Sequence, residues 1–415
     1  MPREWVRRRF VAVPVGQGDA FFLETPDGSV LVDAGKSMQG FAKLFTKVTG
    51  RSGVDILVCT HNDADHANGV LGFLEMGLAC NEVWLPGRWL RALPHALNPT
   101  PEVFEALIDQ ARVAKHTVEE LRRKESDLPE RRRLIEIYGD HVAEQGLLRE
   151  ERQVSDESTA DNHRTVDGWP PKIIEALESA AEGPDDIYPV GWLTPSWWFP
   201  NFWGYCIGLE PMAAGLLVGA LEAAQRIRNI ALAAFHQGVA VRWFEYDISN
   251  PAGGNHWLRP LNAKAVAYVP PPPLGRLFSL LALTTANRES LVFYANTGAQ
   301  TPPVLFTADS DLKGIYLPPL AGAIVTAPHH GSEANRGAYT AVQMAAGSAA
   351  ATITWIRSDG RFRARPGASY IGAPGRRICT LCRSPMNPKR QQRIYLYARN
   401  NRWIRGPRVA RCCCQ

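Results

Sequence analysis

The sequence lacks any uninterrupted apolar run long enough to span a bilayer. The nearest, PMAAGLLVGALEAAQRIRNIALAAF, is broken by Glu222, Gln225, Arg226 and Arg228, so no membrane association is expected. The opening stretch, MPREWVRRRF, is basic but has no apolar h-region; a secretory signal is therefore not expected, and the cytoplasm is the default location. No repeat of fixed period occurs, which argues against solenoids and propellers. No Gly-x-Ser-x-Gly elbow and no P-loop occur either, so nothing points to a serine nucleophile or a nucleotide phosphate cradle. Acidic residues are nearly missing from the last part of the chain. Residues 351–415 hold one acid, Asp359, against fifteen Lys or Arg, a net of +14, while the remainder carries 31 bases and 40 acids, a net of −9. A segment so one-sided should attract polyanions such as nucleic acid.

What is present is an ordinary globular composition: 415 residues, 45% hydrophobic and 21% charged, enough for a large core plus additions. Residues 1–90 alternate short Val- and Phe-rich runs (RFVAVPV, AFFLET, SVLVDAG, VDILVC) with one helical stretch, QGFAKLFTKVTG, that ends at Gly50. This alternation predicts an α/β layered core. Residues 91–262 read as a mostly helical insertion or cap, containing a charged helix-prone segment, a polar loop, a tryptophan cluster (Trp192, Trp197, Trp198, Trp203) and an Ala/Leu-rich helix over 211–236. The tryptophans are expected to form the insertion's own core or to dock a protein partner. From 263 to 356 the strand pattern returns, in AKAVAYV, LFSLLALTT, SLVFYAN, PVLFTAD, GAIVTAP and AATITWI. Residues 357–415 form a basic, cysteine-containing extension.

The chemistry sits at the ends of three apolar runs. THNDADH places His61, Asp63, Asp65 and His66 within six positions after VDILVC. Such crowding is costly unless a cation lies among the four side chains. FTAD places Asp309 after a second run, and APHHGS places His329 and His330 after a third. Mixed imidazole and carboxylate ligands from several strand ends suit Zn²⁺ or Mn²⁺. His256, in a Gly-rich loop, is a candidate for a further imidazole.

With LVDAG upstream, these motifs resemble, in identity and order, those of the metallo-β-lactamase superfamily. The surrounding VPVGQGDAFFLETPDGSVLVDAG and NRESLVF are similar to the soluble domain of the bacterial DNA-uptake channel protein ComEC and its stand-alone relatives. The likeness covers roughly residues 10–86 and 277–356. It implies a four-layer αββα sandwich and two divalent metal ions that activate a bridging hydroxide. His61, Asp63, Asp65 and His66 would be ligands, with Asp65 also orienting the hydroxide. Asp309 would bridge the ions, one or other of His329 and His330 would complete the set, and Asp33 would buttress it from behind. Gly16, Gln17 and Gly18 would form the loop opening the site; Asn287, Ser290 and Ser332 would lie nearby, Asn287 and Ser332 toward substrate. The chain departs from relatives in carrying Asp63 in place of a usual His and Ala308 before Asp309 in place of Gly. It also carries Arg365-Pro366 where relatives have Gly-His-Pro, a change that fits an anionic substrate.

The expected activity is metal-dependent hydrolysis, of nucleic-acid phosphodiesters first. Arg357, Arg361, Arg363 and Arg365 alternate at strand spacing and could share one substrate-facing side. Tyr395, Tyr397 and Trp403, interleaved with arginines, could stack bases or pack inward. The alternatives are a small ester, lactone or cyclic nucleotide as substrate, or a partner-dependent subunit of a bacterial defence complex. Cys379 and Cys382 form a Cys-x-x-Cys pair, and Cys412, Cys413 and Cys414 follow after a basic stretch. Cys379, Cys382, Cys412 and Cys414 are candidate ligands of a structural Zn²⁺; a frayed tail of reduced thiols is the alternative.

Overall fold

The computed structural model describes residues 8–124, 134–146, 167–181, 208–298, 301–358, 365–382 and 391–414. The chain divides into two compact units. The first comprises Met1–Pro86, Val239–Val266 and Asn287–Gln415; the second comprises Gly87–Gly238 and Ala267–Ala286.

The first unit contains fifteen strands among its described residues: β1 (Arg9–Ala12), β2 (Phe21–Thr25), β3 (Gly28–Val32), β4 (Gly53–Val58), β5 (Ala79–Pro86), β6 (Ala240–Tyr246), β7 (Leu258–Pro260), β8 (Ala263–Val266), β9 (Phe293–Ala295), β10 (Val304–Phe306), β11 (Ile324–Thr326), β12 (Thr354–Arg357), β13 (Arg376–Cys379), β14 (Ile394–Arg399) and β15 (Arg402–Arg405). They form two sheets, in the orders β15-β14-β1-β2-β3-β4-β5-β6-β8 and β13-β12-β11-β10-β9-β7. Strands β3 to β6 run parallel, as do β10 to β13. Period-two alternation divides the side chains between faces. Phe10, Phe21, Leu23, Val30 and Val58 of one sheet meet Phe293, Phe306, Ile324, Ile356 and Ile378 of the other in a single buried core.

Helices cover the outer faces. On the large sheet, α1 (Met38–Thr49) and α2 (Ala64–Glu75) bring Phe45 and Phe73 edge-on to each other, with Phe45 also edge-on to Phe22. On the small sheet, the helix Arg336–Ala346 packs Ala338, Tyr339 and Val342 against Leu305, Val325 and Trp355. The result has the layered α/β core that the alternation of elements predicts, arranged as the αββα sandwich that the resemblance implies.

Three expected boundaries differ from the structure. Residues 240–262, placed in the insertion, supply β6 and β7, because AVRWFEY is a strand that pairs parallel with β5 and LRP pairs with β9. The run LFSLLALTT, expected as a strand, is the helix Leu277–Thr284 of the second unit. It is rich in Leu and Ala and apolar on every side, a pattern whose period cannot separate a buried helix from a buried strand. The basic extension is integral to the first unit, since β14 pairs with β1 and β13 with β12. The second unit is helical, with Pro101–Lys124, Leu134–Gln145, Pro171–Ala181 and Pro211–His236 among its described helices. Gly139 lets the second of these approach the Ala282 carbonyl, where a Cβ would stand 2.2 Å from the oxygen. The tryptophan cluster lies outside the described residues. No helix among the described residues is long and apolar enough to cross a membrane.

Candidate metal centre

Parallel strands of both sheets end at one place. Asp33 follows β3, His61 follows β4, Asp309 follows β10, and His329 and His330 follow β11. Asp65 and His66 lie in the first turn of α2, whose N-cap, Asp63, accepts the Ala64 N–H at 2.6 Å. The backbone there is forced into the left-handed region at four non-glycine residues, Asp33 (φ 55°), Ala308 (φ 47°), His329 (φ 45°) and His330 (φ 55°). Such conformations persist only where surrounding structure holds them, and they gather at functional sites. The φ of Ala308 also explains why glycine is suited to that position.

Asp309 is the centre of the cluster, and its two oxygens face different histidines. Oδ1 lies 3.2 Å from His66 Nε2 and 3.7 Å from His330 Nε2; Oδ2 lies 3.6 Å from His329 Nε2 and 4.0 Å from His61 Nε2. His66 Nε2 and His330 Nε2 stand 3.3 Å apart, and Asp65 Oδ2 is 3.6 Å from the latter.

The hydrogen bonds behind the rings fix which nitrogen each histidine presents. A carboxylate can only accept, so His66 Nδ1–H donates to Asp33 Oδ2 at 2.8 Å and His330 Nδ1–H donates to Asp19 Oδ1 at 3.1 Å. The Thr60 hydroxyl donates to Asp33 Oδ2 at 2.7 Å, so at 3.0 Å it accepts from His61 Nδ1–H. The Asn335 amide donates Nδ2–H to the Asp309 carbonyl at 2.8 Å, which turns its Oδ1 toward His329 Nδ1–H at 3.2 Å. All four imidazoles are therefore held through Nδ1 and turn Nε2 toward the space around Asp309. Orientation of this kind is characteristic of metal-ligating histidines.

The donor set fits divalent metal. His61 Nε2, Asp19 Oδ2 and Asp309 Oδ1 are buried and have no hydrogen bond among the described residues. Buried imidazole nitrogens facing each other and a carboxylate need a positive charge between them. Asp19, His66, Asp309 and His330 bring ligand atoms within 4.8 Å of one another. Without metal, a proton supplies that charge. Burial pulls the His66 pKa down, but the charges of Asp309 and Asp33 outweigh it and hold the imidazole well above its ordinary range. Burial alone would raise Asp309, but His66, His329 and His330 hold it well below the usual carboxylate range. Burial lowers His61, and it pushes Asp19 up to about 6 against the opposing pull of His330.

The structure thus gathers His61, Asp65, His66, Asp309, His329 and His330, with Asp33 behind them. His330 lies in the interior and His329 toward the rim, and both face Asp309. Asp63 caps α2 with one oxygen and stands outside the tightest group. Asp19 and Asn335 escaped the sequence reading. Asp19 lies two residues before β2, directly after Gly16-Gln17-Gly18, and Asn335 closes SEAN after the histidine pair, but neither residue type in a turn distinguishes a site from a cap. Gly18 has φ 95°, and a Cβ there would stand 1.7 Å from the Asp65 carbonyl oxygen, so only glycine lets this loop pass the start of α2.

Several expected substrate contacts lie elsewhere. Arg357 is 1% exposed, with Nε donating to the His330 carbonyl at 2.7 Å, so it supports the histidine loop from inside. Trp403 is in the core with Nε1–H donating to the Pro302 carbonyl, so its ring packs the sheets and is no base-stacking platform, while the half-buried Tyr395 donates its hydroxyl to the Val48 carbonyl. Asn287 is buried and its carbonyl accepts from Ser290, while Ser332 caps the turn Glu333–Asn335. His256 is exposed beside Asp27 and supplies no imidazole to the cluster. Arg365 does reach the rim, its Nη2 lying 3.5 Å from His329 Nε2. Arg361 and Arg363 lie outside the described residues.

Residues 13–77 match the family model of the metallo-beta-lactamase superfamily. That span carries Asp19, Asp33, His61, Asp63, Asp65 and His66, and ends just beyond α2. The match is at superfamily level and does not reach the ComEC-like group. No curated protein matches the chain.

Proposed function

We propose that the chain is a metal-dependent hydrolase with two divalent ions, zinc or manganese, at the Asp309 cluster. The observation that carries this reading is the set of four imidazoles, each held at Nδ1 and turning Nε2 toward one buried carboxylate. His61 and His329, beside Oδ2 of Asp309, would hold one ion; His66, His330 and Asp19, beside Oδ1, would hold the other. Bound ions would supply Lewis acidity toward water and toward an anionic ester. Asp65, 8% exposed at the start of α2, would orient the attacking water and take its proton.

The substrate class we favour is the phosphodiester of nucleic acid. Arg365 beside His329 gives the rim a guanidinium suited to phosphate, and the last 65 residues are net +14. The likeness to ComEC-type domains favours the same class. The test is hydrolysis of end-labelled single- and double-stranded DNA and RNA with Mn²⁺ or Zn²⁺, beside His66→Ala. Cleavage that needs metal and disappears in the variant is the expected result. Metal-dependent hydrolysis of small esters or lactones, with no cleavage of any nucleic acid, would refute the substrate class while keeping the hydrolase.

A further inference from the structure

A second cluster of metal-binding side chains lies apart from Asp309, at the end of β13. Cys379 closes that strand and Cys382 follows in the turn; Cys412 and Cys414 arrive from the end of the chain. Cys382 Sγ is 3.6 Å from Cys412 Sγ and 3.5 Å from Cys414 Sγ, and Cys379, Cys382 and Cys414 lie within 4.8 Å of one another. These separations are far too long for a disulfide, whose sulfurs stand at about 2.05 Å. They approach the edge of a tetrahedron of sulfurs around zinc, roughly 3.8 Å for Zn–S bonds of about 2.3 Å.

The surroundings are arranged for thiolates. Leu381 N–H points at Cys379 Sγ (3.4 Å), as in a zinc knuckle, and Cys413 N–H points at Cys382 Sγ (3.2 Å). The buried Arg357 guanidinium adds a charged donor to Cys379 Sγ at 3.3 Å. The odd cysteine of the run, Cys413, is exposed. Three adjacent cysteines therefore divide as two ligands flanking one outward side chain. The tail itself is tied down, with Ala410 N–H donating to Gln392 and Cys412 N–H to the Arg377 carbonyl, which is not the behaviour of a frayed end.

We propose that Cys379, Cys382, Cys412 and Cys414 form a tetrathiolate site for structural Zn²⁺. The four thiols release their protons to solvent as the ion binds, and Arg357 offsets part of the resulting negative charge. A filled site fastens the end of the chain to β13. Because Arg357 also donates to the His330 carbonyl, it holds the backbone of the histidine loop on the same guanidinium.

The test is Co²⁺ substitution in the full-length protein, read by sulfur-to-metal charge-transfer absorption. The imidazole and carboxylate ligands around Asp309 give no such band, so the two sites report separately. We expect the band in the wild type, undiminished in Asp309→Asn and Cys413→Ser and lost in Cys382→Ser. Thiol titration of the zinc-loaded wild type should show four protected thiols that become reactive once a strong chelator removes the metal. That measurement stands even if Cys382→Ser fails to fold. Absence of the band in reconstituted wild type, chelator-independent thiol reactivity, or a disulfide joining Cys382 to Cys412 or Cys414 would each overturn the proposal. Absence of nuclease activity from the wild type would refute the proposed substrate class and leave this thiolate site standing.

Discussion

Replacing Asp33 by Asn changes the shape of one buried side chain very little, yet it should disarm two histidines. Asp33 Oδ1 accepts the Thr60 N–H at 2.8 Å, and Oδ2 accepts both the Thr60 hydroxyl and His66 Nδ1–H. In Asp33→Asn the amide oxygen keeps the fixed main-chain donor, so Nδ2 replaces Oδ2. It then points hydrogens at two groups that were themselves donors. His66 can accept only by moving its proton to Nε2, the nitrogen that faces Asp309. The Thr60 hydroxyl now accepts from the amide and turns its own hydrogen to His61 Nδ1, which sends that proton to Nε2 as well. A protonated Nε2 has no lone pair for a metal. Loss of one such orienting partner costs about 10- to 100-fold in metal affinity. Two rings together give on the order of 10² to 10⁴-fold, or roughly 3 to 5.5 kcal/mol. The metal-free fold should lose much less, about 1–2 kcal/mol, since a charge-assisted bond becomes a neutral one. Competition with a chromogenic chelator measures the affinity, and thermal unfolding with and without zinc measures the fold. An Asp33→Asn protein that binds zinc within twofold of wild type would refute the tautomer argument.

Other expectations follow from the same geometry. Gly18→Ala should lose metal binding and activity, because its Cβ collides with the Asp65 carbonyl, whereas Gly16→Ala, also at positive φ but facing open space, should cost only about 1–2 kcal/mol of stability and keep the metal. Asp19 in the metal-free protein has its pKa raised to about 6 from 3.8, so the unfolded chain ionises first as pH rises. Stability should therefore fall between about pH 4 and pH 6 by roughly 3 kcal/mol on this account, and urea titrations of Asp19→Asn should lack that slope. Arg365→Ala should raise KM for a phosphodiester about tenfold while changing kcat little; an equal loss on a neutral ester would show that the arginine serves the fold and not the substrate. Phe45→Ala, which empties the packing between α1, α2 and β2, should destabilise by about 3–5 kcal/mol without altering metal stoichiometry, as read by denaturant midpoint and metal analysis.

The chain showed its candidate ligands more readily than their supports. His61, His66, Asp309 and the His329-His330 pair each follow a short apolar run, and strand ends in an α/β core converge on one edge, so their common destination could be argued from order alone. Asp19 and Asn335 act through hydrogen bonds to ring nitrogens that belong to distant segments; Asp19 and His330 are 311 positions apart. No local pattern encodes such a pairing. Arg357 misled for a related reason. Alternation with Arg361, Arg363 and Arg365 suggested an exposed face, but β12 ends at Arg357, inside the sheet, with the His330 carbonyl and Cys379 as its partners. The helix at Leu277–Thr284 was illegible because an apolar run of that length carries no period. The division into two units was only half visible, since strands β6 to β8 return to the large and small sheets before the second unit is complete.

The central claim is that a divalent metal sits at Asp309. Native mass spectrometry of zinc-loaded wild type, Asp309→Asn and Cys382→Ser tests it directly. The account predicts that Asp309→Asn carries fewer ions than wild type at unchanged helix and sheet content, and that its remaining zinc is the ion lost in Cys382→Ser. An Asp309→Asn protein that binds as much zinc as wild type, with the same affinity, would contradict it.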